Sequence, residues 1–155
     1  MELASRLARV DADIADAARA VGRDPAELTR IVVTKFHPPQ LVRELHALGV
    51  RDIGENRQQE LSAKVEELGS LPGARWHFIG QAQTNKARAL RAAASIVPLV
   101  VHSVDRERIA NALDAAAGPE DPALDVLLQV NLTDDPGRGG VAPASAAALA
   151  AHVAA

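Results

Sequence analysis

The chain has 155 residues, 48% of them hydrophobic, with 17 basic against 20 acidic side chains and a net charge of -3. That balance gives neither the basic footprint of a nucleic-acid binder nor a polybasic block for a membrane surface. With no cysteine there is no disulfide scaffold, thiolate metal site or cysteine nucleophile. The longest apolar stretch, Ile96 to Val101, is broken by Pro98 and is too short to span a bilayer. Glu2 and the alternation of charge with alanine do not make a signal peptide, so a cytoplasmic setting and a single domain over residues 1–155 are expected. Arginine outnumbers lysine 14 to 3, which makes Lys35, Lys64 and Lys86 exceptions to the usual choice of cation.

In chain order, Leu3, Leu7, Val10, Ile14 and Val21 recur at helical spacing and Gly22 stops them. Ile31 to Thr34 is short, apolar and β-branched, as a buried parallel strand should be. Pro38-Pro39 opens a helix with Leu41, Val42, Leu45 and Leu48 on its apolar face, closed by Gly49. A short strand over Val50 to Ile53 follows, then a helix carrying Leu61, Val65 and Leu68, with Glu60 and Lys64 paired four residues apart. Arg75 to Ile79 reads as a strand, and Thr84 caps a helix running to Ala94. Ile96 to His102 reads as a strand bent at Pro98. Asp105 caps the next helix, with Val104 and Ile109 as its hydrophobic staple. Leu124 to Val130 is the most apolar strand, and the loop Thr133 to Gly140 leads into an alanine-rich helical segment from Pro143.

Five strands, each followed by a helix, predict a parallel α/β sheet. Two architectures compete: a doubly wound open sheet, which is complete with five strands, and a (β/α)8 barrel, which needs eight units. The helix-prone run to Ala155 lacks a stop signal, which suits a barrel cut after its fifth strand.

Both architectures bind ligands at the carboxyl ends of their strands. Those ends carry Lys35-Phe36-His37, Gly54-Glu55-Asn56-Arg57, Gly80 through Lys86, His102-Ser103 and Gln129-Val130-Asn131. Lys35 is the sharpest candidate. An amine at the mouth of a low-dielectric core is held neutral and can attack a carbonyl to form a Schiff base, which arginine cannot do. A snorkelling or ion-paired lysine fits the same position. Lys86, in a helical first turn, either holds an anion or shares a solvated basic face with Arg88 and Arg91. His77 faces away from Trp76 and Phe78, as a hydrogen-bonded core histidine does, and Glu55 is either a general base or a helix-start carboxylate. No G-x-G-x-x-G, phosphate-loop, H-E-x-x-H or G-x-S-x-G pattern occurs, so no metal ligands and no hydrolase machinery are assigned.

The blocks Val32-Val33-Thr34-Lys35, Asp52-Ile53-Gly54-Glu55-Asn56, Trp76 to Gly80 with Gln83-Thr84-Asn85-Lys86, His102-Ser103-Val104-Asp105 and Leu128-Gln129-Val130-Asn131 match a known family in order and spacing. From about Ile31 to Gly140 the chain resembles the pyridoxal phosphate homeostasis proteins, whose fold is similar to the N-terminal barrel of alanine racemase. The resemblance implies a parallel (β/α) TIM-type barrel, here its first five βα units after a leading helix. It implies pyridoxal 5′-phosphate as cofactor, held as a Schiff base on Lys35 with Asn56 near the ring.

It also implies a carrier in vitamin B6 homeostasis rather than an enzyme, with cofactor-dependent apoenzymes as partners and with neither nucleic acid nor membrane. An amino-acid racemase or decarboxylase of the same lineage is the alternative, as is an inactive fragment. A racemase needs acids and bases on both faces of the ring, and its expected tyrosine is missing. The family's phosphate loops and its arginine at the pyridine nitrogen follow later strands that have no counterpart here. Gly137-Arg138-Gly139-Gly140 matches a family K-x-G stretch with arginine for lysine. A barrel of five strands has two unpaired edges, which suits a truncated frame or a chain that associates.

Overall fold

The computed structural model describes residues 2–135 and 137–154. The chain falls into two compact units, residues 1–30 and 31–155. In the first, α1 (Leu3–Ala20) ends where Gly22 takes a left-handed φ of 71°. A 3-10 turn at Pro25–Glu27 follows, opened by the Asp24 side chain accepting the Ala26 N–H, and Arg30 pairs with Asp11 at 2.9 Å. Val21, counted above with the apolar stripe, is exposed.

The second unit alternates β1 (Val32–Val33), α2 (Pro39–Ala47), β2 (Asp52–Glu55), α3 (Gln58–Leu68), β3 (Arg75–Phe78), α4 (Ala87–Ala94), β4 (Leu99–Val104), α5 (Glu107–Ala115), β5 (Asp125–Leu128) and α6 (Ala146–Ala154). All four neighbouring strand pairs are parallel, in the order β1-β2-β3-β4-β5. That order decides between the two architectures. A doubly wound sheet reverses direction near its middle and places its first strand inside, whereas strands laid down one after another in sequence make the wall of a barrel. The sheet is therefore barrel-type, with β1 and β5 at its edges.

Edge position explains two departures from expectation. The Ile31–Thr34 run is not a buried strand: only two of its residues are strand, and Val33 is 44% exposed. The Leu124–Val130 run, the most apolar of all, leaves Leu127 51% exposed. Apolar sequence marks these strands for pairing on both sides, and each has a strand partner on one; only at Val130, past the end of β5, does the second run meet Val141 on its other side.

Alternation along the strands separates two faces. Ile53, Glu55, Trp76, Phe78 and Val101 lie on the helix-covered face and are fully buried. Val42 and Leu45 of α2, Leu61 and Val65 of α3, and Leu90 of α4 are buried as well. Val33, Gly54, His77, Val100 and His102 occupy the opposite, inner face. Several boundaries differ from the sequence reading. Strand β2 begins two residues late, and the helix assigned to Thr84 opens with a 3-10 turn, Thr84–Lys86, before α4 proper. No helix among the described residues is long and apolar enough to cross a membrane.

Candidate functional site

The carboxyl ends of five parallel strands lie at one end of the sheet, so the polar junctions of the sequence share a rim. Lys35 is there, one residue past Thr34, whose N–H continues the ladder to the Gly54 carbonyl at 3.0 Å. Its setting differs from the expectation. The side chain is exposed, not held in an apolar core. Strand β1 is an edge, and at Phe36 the backbone turns through a φ of 65° and leaves the sheet. Among the described residues no hydrogen bond or ion pair engages Lys35 Nζ, whose recorded neighbour is the Phe36 ring, 5.8 Å from centroid. Arg57 stacks on the same ring at 4.7 Å.

Below Lys35 the backbone is held tightly. Thr34 is fully buried, and its hydroxyl donates to Glu55 Oε1 at 2.5 Å. Lys64 Nζ donates to the Thr34 carbonyl at 2.8 Å and to Glu55 Oε1 at 2.5 Å. The Phe36 N–H donates to Glu60 Oε2 at 2.7 Å, and the His37 N–H returns to the Thr34 carbonyl at 3.1 Å. Glu60 and Lys64 are therefore not paired with each other on a helix surface. Both reach from α3 to the β1 turn, because α3 packs beside the ends of β1 and β2. Glu55 is neither a free base nor a helix-start carboxylate; it is one half of a buried ion pair.

Asn56 follows β2 directly, with its side chain exposed. Continuing the register of Val33 opposite Gly54 puts Lys35 and Asn56 on one rung, although no hydrogen bond joins them among the described residues. The Asn56 carbonyl packs directly on Gly80, where an added Cβ would sit 1.9 Å from that oxygen. Only glycine lets the ends of β2 and β3 approach this closely.

Two further groups brace the rim. Ser103 Oγ donates to the Gly80 carbonyl at 2.6 Å and accepts the Ala82 N–H at 2.9 Å. Buried Asp105 accepts from Gln81 and from the Gly140 N–H at 3.2 Å. It is no helix cap; Arg106 stands at that position. Gly140, at a φ of 125°, sits against Val130 and Asn131 where a side chain would clash. The Asn131 amide meanwhile ties the loop to the Asp135 and Arg138 carbonyls and caps Thr133. Lys86 is half-buried, and the solvated basic face proposed for it fails at Arg91, which is 7% exposed.

Across the inner face runs a chain that sequence reading anticipated only at His77. His77 Nε2 lies 2.9 Å from Asp52 Oδ1, and His77 Nδ1 lies 2.9 Å from His102 Nε2. With Asp52 ionised, His77 donates to it through Nε2, and a single proton bridges His77 Nδ1 and His102 Nε2. Burial pushes the Asp52 carboxyl up, but hydrogen bonds from His77 and Arg75 outweigh it and leave the group below its usual value. Burial, and then the neighbouring His77, hold His102 below the usual imidazole value. The pairing of β4 with β5 shifts register between Val101 and Val104, beside His102 and Ser103. The missed partners were legible in principle, since register and alternation put Asp52, His77 and His102 on one face.

A lysine-bearing rim on a singly wound parallel α/β sheet defines a barrel-type α/β chain. No family model matches it. Over 97% of its length the chain is 44% identical to a pyridoxal phosphate homeostasis protein of Pseudomonas aeruginosa, and over 99% it is 38% identical to that of Escherichia coli. It spans 64% of the length of these curated relatives. Two solved structures of PipY from Synechococcus elongatus align with 98% of the chain and 64% of their own. They are PipY without PLP (35% identity, TM-score 0.79) and PipY with PLP bound (34%, 0.73). A D-threonine aldolase of Filomicrobium marinum, at 24% identity, shares the fold alone, covering 94% of the chain and 37% of the aldolase with a TM-score of 0.68. The likeness to the pyridoxal phosphate homeostasis proteins read from the sequence is thus borne out.

Proposed function

We propose that this chain binds pyridoxal 5′-phosphate and serves vitamin B6 homeostasis in the cytoplasm as a carrier rather than an enzyme, with Lys35 holding the cofactor as a Schiff base. The observation that carries the reading is the Lys35 amine itself. It stands at the carboxyl end of the first strand of a barrel-type sheet, engaged by no carboxylate among the described residues, above a turn clamped in place from α3. The PLP-bound PipY relative supports the choice of ligand. Pyridoxal phosphate supplies an aldehyde with which a primary amine condenses, losing water.

The residues at the rim fit that group. Lys35 offers the amine, Asn56 on the adjacent strand end offers an amide to the ring, and Arg57 stacked on Phe36 keeps a cation beside it. Delivery to apoenzymes follows from exposure, because an amine open to solvent releases its aldehyde to an incoming acceptor. Racemisation needs acids and bases on both faces of the ring, and the chain has no tyrosine. The test is a difference absorption titration with pyridoxal phosphate. The wild type should show a saturable bound-aldehyde band that Lys35→Ala lacks and Asn56→Ala weakens. A band unchanged in Lys35→Ala overturns the assignment.

A further inference from the structure

We infer that Glu60 and Lys64 are positioning residues for Lys35: two side chains one turn apart on α3 hold the β1 turn in a strained shape that aims the Lys35 amine. The inference rests on Lys35 being the cofactor lysine, but the clamp can be measured without the cofactor.

Two observations meet here. The first is strain. Phe36, with a φ of 65°, is the only non-glycine residue in the left-handed region among those described. A bulky aromatic residue adopts that conformation at a cost and keeps it only where its surroundings over-determine it. The residue is 65% exposed, so burial does not compensate. The second is the pair of restraints on either side of Lys35. Upstream, the Thr34 carbonyl is fixed by Lys64 and its hydroxyl by Glu55. Downstream, the Phe36 N–H is fixed by the Glu60 carboxylate at 2.7 Å, a charge-assisted bond. Arg57, 3.7 Å from Glu60 Oε1, approaches the same carboxylate while stacking on the Phe36 ring.

Lys35 is the residue between the two restraints, and among the described residues no hydrogen bond or ion pair engages its side chain, which lies over the Phe36 ring. An arrangement that immobilises both flanking peptides and leaves the intervening amine free reduces the orientations available to that amine. The clamp also sorts the chain's lysines. Lys64, 4% exposed and ion-paired, is withheld from any aldehyde, while Lys35 is presented.

The test uses the full chain with Glu60→Ala, Glu60→Gln and wild type. Glutamine keeps an oxygen able to accept the Phe36 N–H; alanine does not. Three readouts are taken: hydrogen exchange of the Phe36 amide, trace acetylation of Lys35 relative to Lys86 in the same sample, and the rate of pyridoxal phosphate capture at Lys35. In wild type and Glu60→Gln the Phe36 amide should be protected and the Lys35-to-Lys86 acetylation ratio alike. In Glu60→Ala protection should vanish, the ratio should change, and capture should slow by about tenfold, while the thermal midpoint stays near wild type. A Phe36 amide unprotected in wild type overturns the clamp. So does a Glu60→Ala chain that loses protection yet keeps both the acetylation ratio and the capture rate. If the ratio depends on Glu60 but no variant captures pyridoxal phosphate, the clamp stands and the cofactor reading fails.

Discussion

Lys64 shows how much a single side chain decides. Its ammonium and the Glu55 carboxylate are both buried, and each leans on Thr34. A buried ion pair is expensive to break from one side, because the survivor is left charged in a poor solvent. Lys64→Met should therefore lower stability by roughly 3–5 kcal/mol in urea unfolding, and adding Glu55→Leu should restore most of the loss. A single variant with wild-type stability would show that the pair contributes little. The Asp52–His77–His102 chain makes a second residue-scale prediction. His102 is held below its ordinary value of 6.5, so the unfolded chain takes up that proton first. Stability is complete above about pH 6.5 and falls as the pH drops through the folded value of His102. Asp52, lowered from 3.8, adds a further loss in stronger acid. Urea midpoints measured from neutral to acid pH should fall, and His102→Phe should flatten the upper part of that fall. A midpoint that rises on acidification would contradict both signs.

At the scale of elements, the rim depends on two strand ends meeting without side chains between them. Gly80 lies against the Asn56 carbonyl, so Gly80→Ala must push the ends of β2 and β3 apart, since the opposing atom is backbone. The expected cost is roughly 2–4 kcal/mol, with weaker pyridoxal phosphate binding as Asn56 moves. Unchanged binding in a stably folded variant would separate Asn56 from the site. These elements also show what was legible beforehand. Helix periods and β-branched runs locate the elements of the βα alternation, because core-facing positions recur at fixed spacing. The parity of Trp76-His77-Phe78 likewise places His77 correctly as a hydrogen-bonded residue. Edge exposure of Val33 and Leu127 was not legible, since an apolar strand reads the same whether one or two neighbours pair with it. The roles of Glu60, Lys64 and Asp105 were hidden for another reason. Local rules offer each a partner on its own helix, and the tertiary partner lies 9 to 35 residues away.

For the whole molecule, sequential strand order is the decisive fact. It makes the sheet a barrel wall, gathers every strand's carboxyl end on one rim, and puts Lys35 at the first position of that rim. The chain spans 64% of its curated relatives' length, so the account makes a sharp claim: these five units by themselves present a lysine that captures the cofactor selectively. The most direct measurement is to add pyridoxal phosphate to the purified chain, reduce with borohydride and map the modified peptide. The account predicts one adduct, at Lys35, absent from Lys35→Ala. Adducts scattered over Lys64, Lys86 and the N-terminus, or none at all, would contradict it.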